Sequence, residues 1–485
     1  MSKKRMNTLK NRVKNFLNKM RDTGFIHLFG SSVINKVLVF ISGIVIVRLI
    51  PKADYGVYSN ANNILSFFCL VECFATTSVL LQFGCTTKGK EKEDVIRFCF
   101  TLSLLTNTVL SIAVLVSGLT VPFAIAGTGS LLSLMSFQPL IRTLIEQQRI
   151  YLRIEQKNKE FAFSNNIYTA VSVVLTIIFS LIFKVNGLIF SNYLTVVIIT
   201  IFLWKRYGLG APKLMLKYPK KKLIKLLKFS FVCIINNSTA SIMYILDTFV
   251  LGIVIAESTV TASYKVATTI PTALSFIPTC VMIYIYPYFA KRNTDIKWCL
   301  KSYKKVLLLF GAFNLAIVVV LVAFAPLIIR LVFGKQYLDA VPCFIVLSIG
   351  YFIRATFRTV PGQLLTTQEK LGFNTAMGFI SGGLNTVLNI MLIPKYSSMG
   401  AALATVIVTA LVAVASTVYL FMVYHKALKH PELVRRNSLE NLVSDDVDFQ
   451  EEAGSNSEET ENEPDNSQNV SVSAGTKESI DSGDE

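Results

Sequence analysis

Little in this chain is equipped for covalent chemistry. Only three histidines occur in 485 residues, His27, His425 and His430, each near the end of an apolar run. None could hold a metal in the middle of such a run, and no H-E-x-x-H or Ser/His/Asp arrangement appears. The eight cysteines are scattered and form no C-x-x-C pair, which indicates neither a disulfide framework nor a zinc site. Most lie within apolar segments, where a free cysteine acts as a small hydrophobe. The stretch GCTTKGK, Gly84–Lys90, has the outline of a phosphate-binding loop. Glu91 stands where a Ser or Thr would hold magnesium, and a membrane helix rather than a strand leads into it, so the match is rejected. Nothing here gives a positive reason to expect an enzyme, a cofactor or a bound metal.

Acidic residues are also scarce until the end of the chain. The first 430 residues hold 14 Asp/Glu against 45 Lys/Arg, whereas residues 431–485 hold 16 against 3. The basic excess is confined to short loops between apolar runs. It therefore reads as a signal of membrane topology and not of nucleic-acid binding.

What the chain has in abundance is apolar sequence. Hydrophobic residues make up 52% of it, and the mean hydropathy is +0.53. A soluble domain is rarely so apolar. The runs are about 20 residues long, the length that crosses a hydrocarbon layer of ~30 Å. Twelve spans are predicted: 29–49, 57–81, 98–119, 131–150, 161–183, 187–204, 229–254, 262–289, 306–332, 341–365, 373–393 and 399–424. The fourth is the weakest, since it carries Gln138, Arg142 and Glu146. The first follows a basic arm and reads as a retained signal-anchor.

With a cytoplasmic N terminus, the inner segments hold about 36 Lys/Arg and the outer loops four, Lys52, Lys184, Lys335 and Lys395. That asymmetry predicts both termini inside. The outer loops are too short to house a catalytic domain. GVYSNANNI, 56–64, resembles ASYKVATTI, 262–270, six spans later. Two parallel six-helix bundles around a central cavity would give such a repeat. The expected organisation is a basic amphipathic arm (1–28), a first bundle (29–204), a basic linker (205–228), a second bundle (229–424) and an acidic, disordered cytoplasmic tail (425–485).

The informative residues are charges inside the spans: Lys36, Arg48, Arg142, Lys265, Arg330, Arg354 and Arg358, with Glu72, Glu146 and Asp247. A charge at the bilayer centre costs roughly 3 kcal/mol, so these groups must pair, snorkel or face a wet cavity. Arg48 and Arg330 lie near outer ends and can snorkel. Arg142 and Glu146, four apart on one helix face, suit a mutual pair. Asp247 and Lys265 flank one outer turn and are expected to pair; a coupling-ion or proton site at Asp247 is the alternative. Glu72, near mid-depth, is either a proton carrier or a partner for a base. Arg354 and Arg358 share a helix face with no acid near them in sequence. Two stacked guanidiniums suit an anion with several oxygens, such as a pyrophosphate. Lys36 and Arg142 are placed to complete that site. Asn35, Asn236, Asn237, Asn385 and Asn389 either line the cavity or bond across helices.

Four segments carry a family resemblance: IVRLIPKADYGVYSNANNI (46–64), LDTFVLGIVIAESTVTASYKVA (246–267), VFGKQYLDAVPCFIVLSIG (332–350) and LNIMLIPKYSSMGAALATV (388–406). In this order they resemble signatures of the Wzx-type oligosaccharide flippases, a polysaccharide branch of the MOP superfamily. Ser397 departs from the usual glycine after the IPKY tyrosine. The resemblance implies an all-α, V-shaped two-bundle transporter in the bacterial plasma membrane. The implied substrate is a polyprenyl-pyrophosphate-linked oligosaccharide, moved from inner to outer leaflet for capsule, O-antigen or exopolysaccharide assembly. It also implies work beside the glycosyltransferases and polymerase of one pathway. Two rivals remain, a cation-coupled multidrug exporter and a non-transporting subunit of a glycan assembly complex. An exporter of cationic drugs should favour acids, yet seven embedded bases face three acids.

Overall fold

A computed structural model describes residues 25–215, 218–368 and 370–429. The expected N-terminal arm, except its last residues, and nearly all of the acidic tail lie outside the described residues, as do the side chains of Asn236 and Asn237. The described chain is helical, with no strand. Its helices are α1 (Phe25–Leu49), α2 (Lys52–Phe68), α3 (Thr76–Thr86), α4 (Gly89–Thr120), α5 (Thr128–Met135), α6 (Gln138–Ile154), α7 (Asn158–Tyr207) and α8 (Lys220–Val254). There follow α9 (Ser258–Ala273), α10 (Phe276–Lys291), α11 (Ile296–Ala323), α12 (Ala325–Val332), α13 (Val341–Ile353), α14 (Val360–Thr367) and α15 (Leu371–Lys429). The helices up to Tyr424 pack as one unit, and beyond it the described residues are only the end of α15.

Burial departs from that of a soluble protein at both extremes. Leu308 is 73% exposed, Leu119 72% and Val109 67%, while Asn107, Asn314 and Asn385 are wholly buried. An apolar exterior, with polar side chains kept among the apolar ones inside, is what a lipid solvent selects. Seven helical runs among the described residues are long and apolar enough to cross a membrane. The protein is a multi-pass membrane protein.

The two longest runs are hairpins. A straight helix of 50 residues, the length of α7, would be about 75 Å long, more than twice the hydrocarbon thickness. Lys184 instead takes φ 51° and ψ −125°, and the chain doubles back. Thr176 and Ser191 then share a 3.0 Å hydrogen bond, where a straight helix would hold them about 22 Å apart. Gly187 makes the return possible, since a Cβ there would lie 2.0 Å from the Phe179 carbonyl oxygen. Ser397 does the same in α15, and Phe373 stacks on Tyr419 across the fold-back with ring centroids 4.1 Å apart. These turns fall between the spans expected from the sequence. The ninth expected span is interrupted at Phe324, between α11 and α12, and the fourth is divided into α5 and α6.

The two copies of the repeat pack against each other. Gly56, in α2, lies so close to α9 that a Cβ would sit 1.8 Å from the Ser258 carbonyl oxygen. The same seam, at the Pro51 end of the molecule, holds polar ties. Lys52 Nζ meets Asp339 Oδ2 at 2.7 Å, and Ser263 donates to the same oxygen at 2.7 Å. Asn63 Nδ2 donates to the Ile245 carbonyl at 2.9 Å. The exposed Arg48 side chain also crosses this seam. Its guanidinium donates to the Leu331 and Val332 carbonyls at the end of α12, where a cation is electrostatically favoured. Gly56→Ala should force α2 off α9, because a backbone oxygen cannot rotate away. We expect a loss of about 1–3 kcal/mol, visible as a lower unfolding midpoint in detergent.

Candidate functional site

Two breaks in helical geometry place the embedded charges. The first lies between α2 and α3. Glu72 is extended (φ −54°, ψ 137°), and Cys73, Phe74 and Ala75 follow with φ near 50°. Three successive non-glycine residues in the left-handed region are strained. Asn107 compensates part of the disruption: its Oδ1 accepts from the freed Cys73 N–H at 2.8 Å, and its Nδ2 donates to Thr143 and to the Pro139 carbonyl. The break opens a cavity of about 550 Å³ lined by Glu72, Arg142 and Glu146, with Gln138, Asn62 and Ser66. Glu72 and Arg142 attract one another across it. Glu146 also attracts Arg142, but its ion pair among the described residues is with Arg149, whose Nη1 donates to Glu146 Oε1 at 3.0 Å.

The second break is a π-helical turn, Arg354–Thr359, between α13 and α14. Such turns are frequent at functional sites because they widen the helix and redirect side chains. Here both arginines border one cavity of about 160 Å³, together with Lys265, Asp247, Tyr264, Tyr351 and Thr405. Arg354 Nη2 donates to Ser275 Oγ at 2.7 Å and reaches the Pro271 carbonyl at 3.4 Å. That carbonyl is available because the Ser275 N–H bonds to Thr272 in a tight turn instead. The same carbonyl also accepts from the Ser275 hydroxyl at 3.3 Å, so Arg354, Ser275 and Pro271 form one cluster.

Asp247 is 6% exposed and is answered by neutral donors. Tyr264 Oη donates to it at 2.9 Å, Asn389 Nδ2 at 2.7 Å, and the Thr405 hydroxyl also donates. The expected Asp247–Lys265 ion pair is absent among the described residues. The reason is helical phase. Neighbouring residues diverge by about 100° around a helix, and the α9 face toward Asp247 carries Tyr264. Beside the carboxylate, Asn389 Oδ1 and Asn385 Nδ2 are buried without a hydrogen-bond partner among the described residues.

The four bases expected to form one anion site are therefore distributed. Arg354 and Arg358 share a cavity with Lys265, Arg142 borders the cavity with two acids, and Lys36 is exposed on α1 and lines neither.

A family model described as "Polysaccharide biosynthesis protein" matches residues 45–342, more than half of the chain. The chain belongs to the polysaccharide biosynthesis protein family. An uncharacterized membrane protein of Methanocaldococcus jannaschii is 23% identical over 395 residues, covering 74% of this chain and 75% of that one. Among solved structures, the lipid II flippase MurJ in an inward closed conformation superposes with a TM-score of 0.64 at 14% identity, covering 88% of this chain and 99% of that one. A MATE multidrug-resistance transporter of the MOP superfamily, inward-facing, gives 0.62 at 14% identity, covering 81% and 96%. The chain shares the fold of these two proteins.

Within this family member, the partners of Asp247 escaped sequence reading. Tyr264 adjoins the lysine that drew attention, and Thr405 sits in the small-residue run GAALATV. The one available signal was Asn385 and Asn389, four apart on a helix, which is one face.

Proposed function

We propose that this protein is a flippase. It carries a polyprenyl-pyrophosphate-linked oligosaccharide from the cytoplasmic to the outer leaflet of a bacterial plasma membrane, for cell-surface polysaccharide synthesis. One observation carries the reading. A π-turn inside an apolar bundle brings Arg354 and Arg358 to the same cavity as Lys265. Three bases against the single, internally bonded Asp247 favour an anionic head group with several oxygens. Family membership and this shared fold support transport. In this reading the chain crosses the membrane twelve times in two parallel six-helix bundles, with both termini inside and the Pro51 seam facing out. The pyrophosphate occupies the cavity while the prenyl tail stays in lipid. Arg142, beside Glu72 and Glu146, and Lys36, on the exposed face of α1, serve entry from the cytoplasmic side.

The reset step draws on a cation. Asp247 is the favoured coupling group. It borders the arginine cavity, and Asn389, which donates to it, keeps a buried Oδ1 without a hydrogen-bond partner among the described residues. Glu72 is the second candidate.

Reconstituted protein tests the function. Proteoliposomes loaded with lipid-linked oligosaccharide should present it to an external lectin only when the protein is present. Uptake of a cationic drug with no movement of the sugar lipid would replace this reading with the multidrug exporter. Movement of neither, with intact folding, would favour the assembly subunit.

A further inference from the structure

The Pro51 end is poor in basic residues, yet four of those it has are gathered in one place. Arg48, Arg330 and Lys335 border a cavity of about 560 Å³ with Leu331, Phe333, Gly334 and Gln336. Lys52 Nζ lies 3.0 Å from the Gln336 carbonyl on its edge. Arg48 comes from α1, while Arg330, Lys335 and Gln336 come from α12 and the turn after it. The cavity is thus built across the seam. Gly334 makes it possible: at φ 104° it ends α12, its N–H bonds back to the Ile329 carbonyl at 3.1 Å, and the chain brings Lys335 round beside Arg330.

The charge here is not neutralised locally. Asp339 answers Lys52, and Arg48 is bonded to carbonyls. Arg330 and Lys335 are exposed and make no hydrogen bond or ion pair among the described residues. The surrounding surface is apolar and open: Leu331 is 63% exposed, Phe324 52%, Leu327 50% and Leu338 41%. Basic side chains at a membrane interface beside exposed apolar ones match a lipid, with a phosphate for the former and acyl chains for the latter. A free phosphate would use the charges and leave the apolar rim unexplained.

We propose that Arg48, Arg330 and Lys335 form a binding site for the phosphate of an anionic phospholipid headgroup. Its location in the outer leaflet rests on the orientation proposed above. The binding itself does not, and it is measured without reference to transport.

Native mass spectrometry of the full-length protein in detergent, titrated with phosphatidylglycerol or phosphatidylcholine, provides the test. The wild type should retain phosphatidylglycerol preferentially. Arg330→Gln with Lys335→Gln should weaken that retention roughly tenfold or more, since two charge-assisted contacts are removed. Both side chains are exposed, so the variant should keep the wild-type unfolding midpoint. Lys184→Gln with Lys395→Gln, at other turns of the same end, should have no effect. Equal retention of the two lipids, or unchanged retention in the Arg330/Lys335 variant, would overturn the proposal. So would inorganic pyrophosphate binding at these residues with no preference for the anionic lipid, which would make the site one for a soluble anion.

Discussion

Cells carrying Arg354→Ala together with Arg358→Ala, at unchanged protein level, should lose surface polysaccharide and accumulate the lipid-linked oligosaccharide on the cytoplasmic face. Each guanidinium bonded to a phosphate oxygen contributes about 1.5–3 kcal/mol. Removing both should slow transport by at least roughly a hundredfold. Arg354 also bonds to Ser275 and Pro271, so a purely structural role must be separated from a substrate role. Ser275→Ala removes one of those bonds and keeps the charge. It should leave most transport intact, and Arg354→Lys with Arg358→Lys should retain a measurable part of it. If Ser275→Ala were as damaging as the double alanine variant, the arginines would be braces for the π-turn. If the double alanine variant exported normally, the cavity would not be the anion site.

The expected sites and the observed ones differ in an instructive way. Apolar run length and the short polar breaks between runs predicted where helices start and stop, and the turns at Lys184 and Ser397 fall between predicted neighbours. Both signals are local, set by chain length against hydrocarbon thickness. The family resemblance was legible for the same reason, since its segments mark turns and span ends. The broken helix at Glu72–Ala75 was not legible, because CLVECFA holds neither glycine nor proline. Its strain is supported by Asn107 on another helix. The partners of Asp247 were hidden by distance: Asn389 is 142 residues away and Thr405 158. Sequence proximity suggested Lys265, and helical phase gave Tyr264. Where a charge sits could be read from one dimension; what answers it depended on packing.

Asp247 offers the second large effect, because two substitutions should fail in different ways. Asp247→Ala deletes the acceptor for Tyr264, Asn389 and Thr405 together. A buried donor left without a partner costs about 1–3 kcal/mol, so several kcal/mol should be lost, and the unfolding midpoint should drop steeply. Asp247→Asn keeps the shape and one acceptor oxygen. It removes the negative charge that a cation requires, and it should fold with a midpoint near the wild type. If Asp247 couples transport to a cation, oligosaccharide movement in Asp247→Asn proteoliposomes should no longer respond to an imposed proton or sodium gradient. Single-turnover binding of the head group at Arg354 and Arg358 should persist. A gradient response that survived in Asp247→Asn and vanished in Glu72→Gln would move the coupling site to the broken helix. The carboxylate at Asp247 would then be a hydrogen-bonded strut joining α8, α9 and α15.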